Sequence, residues 1–340
     1  MTFPSPTCVA ALAAVLVSAL SAQEAPRKIG IIGLDTSHVV AFTTVLNQGP
    51  RNPADAAKFA GFRVTHAFAQ GSRDIPESTS RVPEYTGKLK AMGVEIVDSI
   101  ERLCAQVDGV LLESNDGRVH LAQLLPVLKA GKPVFIDKPI AGSLADVLRI
   151  QDAARQAGAV YFCSSSLRFA AGTQAVAQGS IGRVRTATAT SPASLERHHP
   201  DLYWYGVHGC ESLYTVMGTG CVSVRRDLTP EGLIQVTGNW GDGRVGIFRE
   251  ADRKAKGGPY GGLAVGEKGE AAIGRFDGYE VLLAAIVRMF RTGQAPVSAE
   301  ETLELYAFME AADESKRRGG AEVRIADVIA KARAEVARGK

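Results

Sequence analysis

The chain has 340 residues, 46% of them hydrophobic and 22% charged, which is too long for one typical compact domain and apolar enough for two buried cores, so disorder as a main theme is excluded. A formal net charge of +3, with no Lys/Arg-rich run interleaved with aromatics, excludes nucleic acid as an evident partner.

The first segment differs from all that follows. Val9 to Leu20 reads VAALAAVLVSAL, an uncharged apolar run followed by Ser21-Ala22 and then by charge at Glu24, Arg27 and Lys28. That is the length of a signal-peptide core and too short for a bilayer span. Residues 1–22 are therefore expected to be a general secretory leader, with no twin-arginine pair, and the protein to be periplasmic or extracellular. Cys8 falls in the leader. Cys104, Cys163, Cys210 and Cys221 match no zinc spacing and are expected as four small buried residues, although export would permit disulfides in any of three pairings. No other stretch is apolar enough to span a membrane.

From about residue 27 to about 160, strand and helix alternate. KIGIIGL at 28–34 is a β-branched run that predicts a buried parallel strand, and Asp35-Thr36-Ser37 offers three N-cap residues before the helical period of VVAFTTVLN. Strands follow at Phe62 to Phe68, Asp108 to Leu112, Pro133 to Ile136 and Val160 to Cys163, with helices in VHLAQLLPVLKAGK and LADVLRIQDAARQAG. The fold class is α/β, its N-terminal domain a Rossmann-type doubly wound parallel sheet. Residues 161–335 are expected to form a second, α+β domain with an open, mainly antiparallel sheet. Its strands are predicted at Val184 to Thr190, Val222 to Arg226, Gly232 to Gly238 and Arg244 to Arg249, with an exposed loop at 251–262. A helix in VSAEETLELYAFMEAADESKRRGG closes the chain, with a Ser298/Glu301 capping box and Gly319 as its stop.

Four stretches in this order are similar to one family. AGKPVFIDKPIAGSLADVLRIQDAARQAG, SLRFAAG with GSIGRVR, YGVHGCESLYTVMG, and the closing helix segment resemble the glucose–fructose oxidoreductase / inositol dehydrogenase (Gfo/Idh/MocA) superfamily. The resemblance implies hydride transfer between NAD or NADP and a small carbohydrate or polyol, and a homo-oligomer paired through the open sheet face. It assigns Lys138 of Asp137-Lys138-Pro139 to orienting the substrate hydroxyl and stabilising charge on its oxygen. It assigns His208 to the general base and Glu211, one turn along, to a second acid. Cofactor contacts are implied for Gly33, Asp35, Thr36, Ser37, His38, Glu113, Ser114, Asn115, His120, Asp137 and Lys138. Substrate contacts are implied for Arg168, Tyr203, Trp204 and Tyr205, the aromatic three equally readable as core.

The chain departs from the family pattern in three places. The phosphate-cradling Gly-x-Gly-x-x-Gly is here Gly33-Leu34-Asp35-Thr36-Ser37-His38. Asp35 in the second position brings a side chain and a like charge toward a pyrophosphate, unless it only caps the following helix. The end of the second strand, His66 to Gln70, lacks the acid that holds ribose hydroxyls, and Arg73 is the only nearby candidate for a 2′-phosphate. Trp204 stands where the family pairs an Asp with the histidine. Three functions stay open: the oxidoreductase; cofactor-free acid–base chemistry on a sugar, with or without a metal, such as elimination, epimerisation or hydrolysis; and non-catalytic sugar binding. No metal site is expected, because Asp35, His38, His120 and His208 are suitable ligand types without a ligand spacing.

Overall fold

The computed structural model describes residues 25–252, 254 and 258–339. The expected leader, residues 1–22, lies outside the described residues.

The first sheet contains β1 (Arg27–Ile32), β2 (Phe62–Phe68), β3 (Glu95–Val97), β4 (Gly109–Leu112), β5 (Val134–Ile136) and β6 (Tyr161–Cys163). All pairs are parallel and the order is β3-β2-β1-β4-β5-β6. The central strands are apolar on both faces because helices cover both: β4 and β5 are buried at every residue. Between β1 and β4 the order reverses, which opens a crevice beyond the C-terminal strand ends.

The second sheet contains β7 (Val184–Ser191), β8 (Cys221–Leu228), β9 (Ile234–Trp240), β10 (Val245–Glu250), β11 (Gly261–Gly266), β12 (Gly269–Ala272) and β13 (Val323–Arg324), in the order β12-β11-β7-β10-β9-β8-β13. Every pair is antiparallel except β7 with β10. The helices Val207–Met217 and Ala299–Arg317 pack against this sheet. On β11 the alternate residues Leu263 and Val265 are exposed.

The two halves are not separate along the chain. Helix Glu280–Thr292, ended by Gly293 in the left-handed region, lays Leu282, Ile286, Met289 and Phe290 on Ile29, Ile31, Leu111 and Phe135 of the first sheet. Burying four such side chains contributes roughly 1.5–3 kcal/mol each, so this helix is part of the first domain's core. β6 likewise completes the first sheet, which moves the expected boundary at residue 160 to beyond Cys163.

Three further expectations change. Ser298 caps its helix by accepting from Glu301 N at 3.1 Å, but the Glu301 carboxylate turns to Arg168 Nη1 at 2.7 Å, so the box is half built. That helix does not close the chain, because β13 and helix Ile325–Ala337 follow it. The expected 251–262 loop already becomes β11 at Gly261. Cys104, Cys163, Cys210 and Cys221 are buried and free, as expected of small core residues. Among the described residues no helix is long and apolar enough to cross a membrane.

Candidate active site

A cavity of about 480 Å³ opens at the crevice between the first sheet and the second domain, within the range of small-ligand sites. One wall is the turn after β1. Gly33 there has φ +82°, and a Cβ would stand 2.5 Å from Ser114 N, so only glycine lets the β1 and β4 turns approach so closely. Gly33 N and Leu34 N donate to Phe68 O and Gln70 O, which ties the turn to the end of β2.

Asp35 neither caps the helix nor faces the cavity. Its side chain is fully buried and accepts from Asn115 N at 2.9 Å and from Ser78 Oγ at 2.7 Å. Burial pushes its carboxyl up to about 6 against those hydrogen bonds. The N-cap of helix Ser37–Gln48 is Thr36, with no side-chain cap and no acid in the first turn. Thr36, Ser37 and His38 line the cavity, so the positive end of the helix dipole opens into it.

His38, in the third glycine position, reaches under the turn. Its Nδ1 lies 2.8 Å from Asp137 Oδ2 and 3.7 Å from Glu113 Oε2. Its ring is stacked on Phe42 at 5.2 Å and edge-on to Tyr279 at 4.5 Å. Burial alone would lower this imidazole, but the two carboxylates lift it above its ordinary value. Burial and the Asp137 charge raise Glu113. Asp137 stays below the usual range because His38 and Lys138 outweigh burial. His120 does not reach the cavity. It bridges Ser114 O at 2.7 Å and Ile140 O at 3.1 Å and holds the β4 and β5 turns together.

The opposite wall carries Lys138, Trp204, Tyr205 and His208. Lys138 Nζ lies 5.8 Å from the centroid of the Tyr205 ring. His208 Nδ1 lies 2.7 Å from Ser165 Oγ, so a serine on the turn after β6 replaces the missing Asp. In the tautomer whose Nδ1–H donates to Ser165, Nε2 keeps the lone pair a base needs. Burial, with Lys138 and His38 adding repulsion, holds this imidazole well below its ordinary value. Rings of Tyr205, His208, Tyr260, Phe276, Tyr279 and His38 follow one another at 4.5 to 6.2 Å and join the two walls.

Three residues expected at the substrate lie elsewhere. Glu211 is 2% exposed; it accepts from Arg168 Nε at 2.7 Å, Ser165 N at 2.8 Å and Ser164 Oγ, and it does not line the cavity. Arg168 is spent on Glu211 and Glu301. Tyr203 is fully buried edge-on to Tyr306 at 4.8 Å. Sequence reasoning missed Tyr260, Phe276 and Tyr279, which stand outside any periodic element. It also missed Glu77 and Arg81, whose helix Pro76–Ala91 brings them to the cavity. Arg73 is exposed and off the cavity, and Gln70 is turned to Gln123 at 2.9 Å.

These residues fit the phosphate-bearing middle of a nicotinamide dinucleotide: an uncapped helix start, two hydroxyls and the Arg81 cation face one cavity. They do not rebuild the ribose clamp at β2, where no acid stands.

Residues 28–165 match the oxidoreductase family described as having an NAD-binding Rossmann fold (GFO_IDH_MocA). Over 108 residues the chain is 36% identical to 1,5-anhydro-D-fructose reductase of Ensifer adhaerens. That stretch is 30% of this chain and spans 32% of that relative's length. Among solved structures, the fold is similar to myo-inositol dehydrogenase from Lactobacillus casei in complex with NAD(H) and myo-inositol (TM-score 0.69, 16% identity, 88% of this chain and 96% of that one). It is also similar to scyllo-inositol dehydrogenase from the same organism with NAD(H) and scyllo-inositol (TM-score 0.64, 18% identity, 88% and 99%). At these identities the likeness establishes the architecture.

Proposed function

We propose, from the match of residues 28–165 to the oxidoreductase family with an NAD-binding Rossmann fold, that this protein is a carbohydrate or polyol oxidoreductase that works with NAD or NADP. The observation that carries the reading is the convergence of Lys138, His208 and the open start of helix Ser37–Gln48 on one cavity.

Thr36, Ser37 and Arg81 would hold the cofactor's phosphates, and the bound cofactor supplies the hydride acceptor or donor. The chain's own residues manage the proton and the charge. The Lys138 ammonium orients the reacting hydroxyl and favours negative charge on its oxygen. The neutral imidazole of His208 takes the hydroxyl proton, held in orientation by Ser165. Trp204 and Tyr205 offer ring faces to the apolar side of a sugar. Glu211 positions Arg168 and the Ser164-Ser165 turn rather than touching substrate.

The test is reduction of NAD+ or NADP+ over a panel of inositols and aldoses, with Lys138→Met and His208→Gln as controls. Turnover that both variants abolish supports the reading. A protein that binds neither cofactor at millimolar concentration overturns it.

A second reading, cofactor-free acid–base chemistry on a sugar, draws on one observation: Asp35 and His38 fill two of the three glycine positions with buried, hydrogen-bonded side chains. Product formation in the same panel without NAD(P) would select it. Saturable sugar binding with no turnover in either format would select a binding protein. Export is proposed on the leader pattern of residues 1–22, and N-terminal sequencing of the secreted fraction tests it. A homo-oligomer is proposed through the second sheet, where Leu263 and Val265 are exposed; light scattering tests it.

A further inference from the structure

We propose that His38, Glu113 and Asp137 form a binding site for one first-row divalent cation, of the Mn²⁺ or Zn²⁺ class, at the β1/β4/β5 strand ends. This goes beyond the hydride-transfer reading and does not depend on it.

Glu113 and Asp137 follow the ends of β4 and β5, His38 stands in the first turn of the helix after β1, and their donor atoms lie within 4.8 Å of one another. His38 Nδ1 is 2.8 Å from Asp137 Oδ2 and 3.7 Å from Glu113 Oε2. Metal–donor bonds of 2.0–2.2 Å place neighbouring donors about 3.0–3.5 Å apart, so the observed spacings straddle that range. An imidazole with two carboxylates is a donor set for Zn²⁺ or Mn²⁺ rather than for softer, thiolate-seeking ions. The ligands are also braced: Asp137 Oδ1 accepts from Lys138 N at 2.8 Å, leaving Oδ2 for the site. Phe42 and Tyr279 hold the His38 ring.

A second observation concerns Glu113. Glu113 is fully buried, and its Oε1 has no hydrogen-bond partner among the described residues. Its other oxygen accepts from Thr36 Oγ1 at 3.5 Å and faces His38 Nδ1 at 3.7 Å. A buried carboxylate with an unmatched oxygen, set beside a second buried carboxylate, is costly unless something neutralises both. The closer His38–Asp137 pair satisfies one carboxylate, and Glu113 stands beside it at the longer distance of 3.7 Å. A divalent ion held by Glu113 Oε2, Asp137 Oδ2 and His38 Nδ1 would balance both carboxylates.

His38 alone of the three lines the cavity, so the ion would stand behind the His38 wall, between that ring and the two buried carboxylates.

The test uses the full chain without a histidine tag. The protein is stripped with chelator, dialysed separately against Zn²⁺ and Mn²⁺, and assayed for metal content and thermal midpoint. The expected result is one ion per chain and a midpoint raised by about 5 °C at saturation. Glu113→Gln and His38→Gln should each weaken binding at least about tenfold. A wild-type chain that takes up neither metal overturns the proposal in favour of a plain proton-shared cluster, and so does binding that either variant leaves intact. Because the readout is metal content, failure of the NAD(P) assay leaves this result unaffected.

Discussion

Two histidines line the cavity, and the fold gives them opposite electrostatic surroundings. His38 lies between two carboxylates, which favour its protonated form or a bound cation. His208 has a serine for a partner and the Lys138 cation for a neighbour, which favour the neutral ring. The residue type is the same; the sign of the nearest charge separates a ring that holds its proton from one that stays neutral. The difference also shows that losing a pattern residue need not lose its role. Trp204 replaces the expected Asp, yet Ser165 from another turn orients His208.

The largest expected effect breaks the base wall. Lys138→Met and His208→Gln should each lower kcat/KM by about 10²- to 10⁴-fold while circular dichroism stays unchanged. The neutral character of His208 also sets a sign for pH. The imidazole protonates only well below 6.5, so kcat/KM should hold as pH falls through 6.5 and drop below it. An acid limb at or above 6.5 would show that His208 is not the base, or that Lys138 does not press on it.

Next in size is the ion-pair hub behind that wall. Arg168→Met leaves Glu211 and Glu301 facing an apolar side chain and should cost about 3–5 kcal/mol in urea unfolding. Adding Glu211→Gln should restore part of that loss. If Arg168→Met changes KM but not stability, Arg168 contacts substrate after all.

The opposite wall has a smaller, pH-dependent signature. Asp35 is raised in the folded protein from 3.8 to about 6, so folding disfavours its charge. Its contribution is most favourable below pH 4 and is lost as pH rises through 6. Asp35→Asn removes that titration while keeping an acceptor for Asn115 N and a donor for Ser78. The variant should therefore gain on wild type by on the order of 2 kcal/mol between pH 4 and pH 7.5, read from thermal midpoints at both. Equal differences at the two pH values would mean the carboxylate is solvated. The smallest effect is at the aromatic rim, where Trp204→Leu should raise KM roughly three- to tenfold with kcat unchanged, the loss of one ring face.

The first sheet was readable because its strands are short β-branched runs spaced by amphipathic helices, and burial on both faces leaves no ambiguity of side. β3 escaped because three residues at Glu95–Val97 carry too little pattern. β11 and β12 escaped because a glycine-rich run reads as loop until a neighbouring strand supplies its hydrogen bonds. Lys138 and His208 were legible through motifs local in sequence. Glu211 and Arg168 matched equally local motifs, but the structure turns them toward each other, since two opposite charges buried within reach pair before either reaches solvent.

The sequence by itself determined the strand and helix alternation of the first domain and the glycine after β1, and it singled out Lys138 and His208 as candidates, because period, turn chemistry and short motifs act over a few residues. Only the tertiary structure decided where Asp35 points, that helix Glu280–Thr292 belongs to the first domain's core, and that His38, Glu113 and Asp137 meet. Those three are separated by 75 and 24 positions, and no local pattern links them. They share a site because parallel strands deliver all their C-terminal ends to one edge, and the reversal between β1 and β4 leaves space there for side chains from both sides.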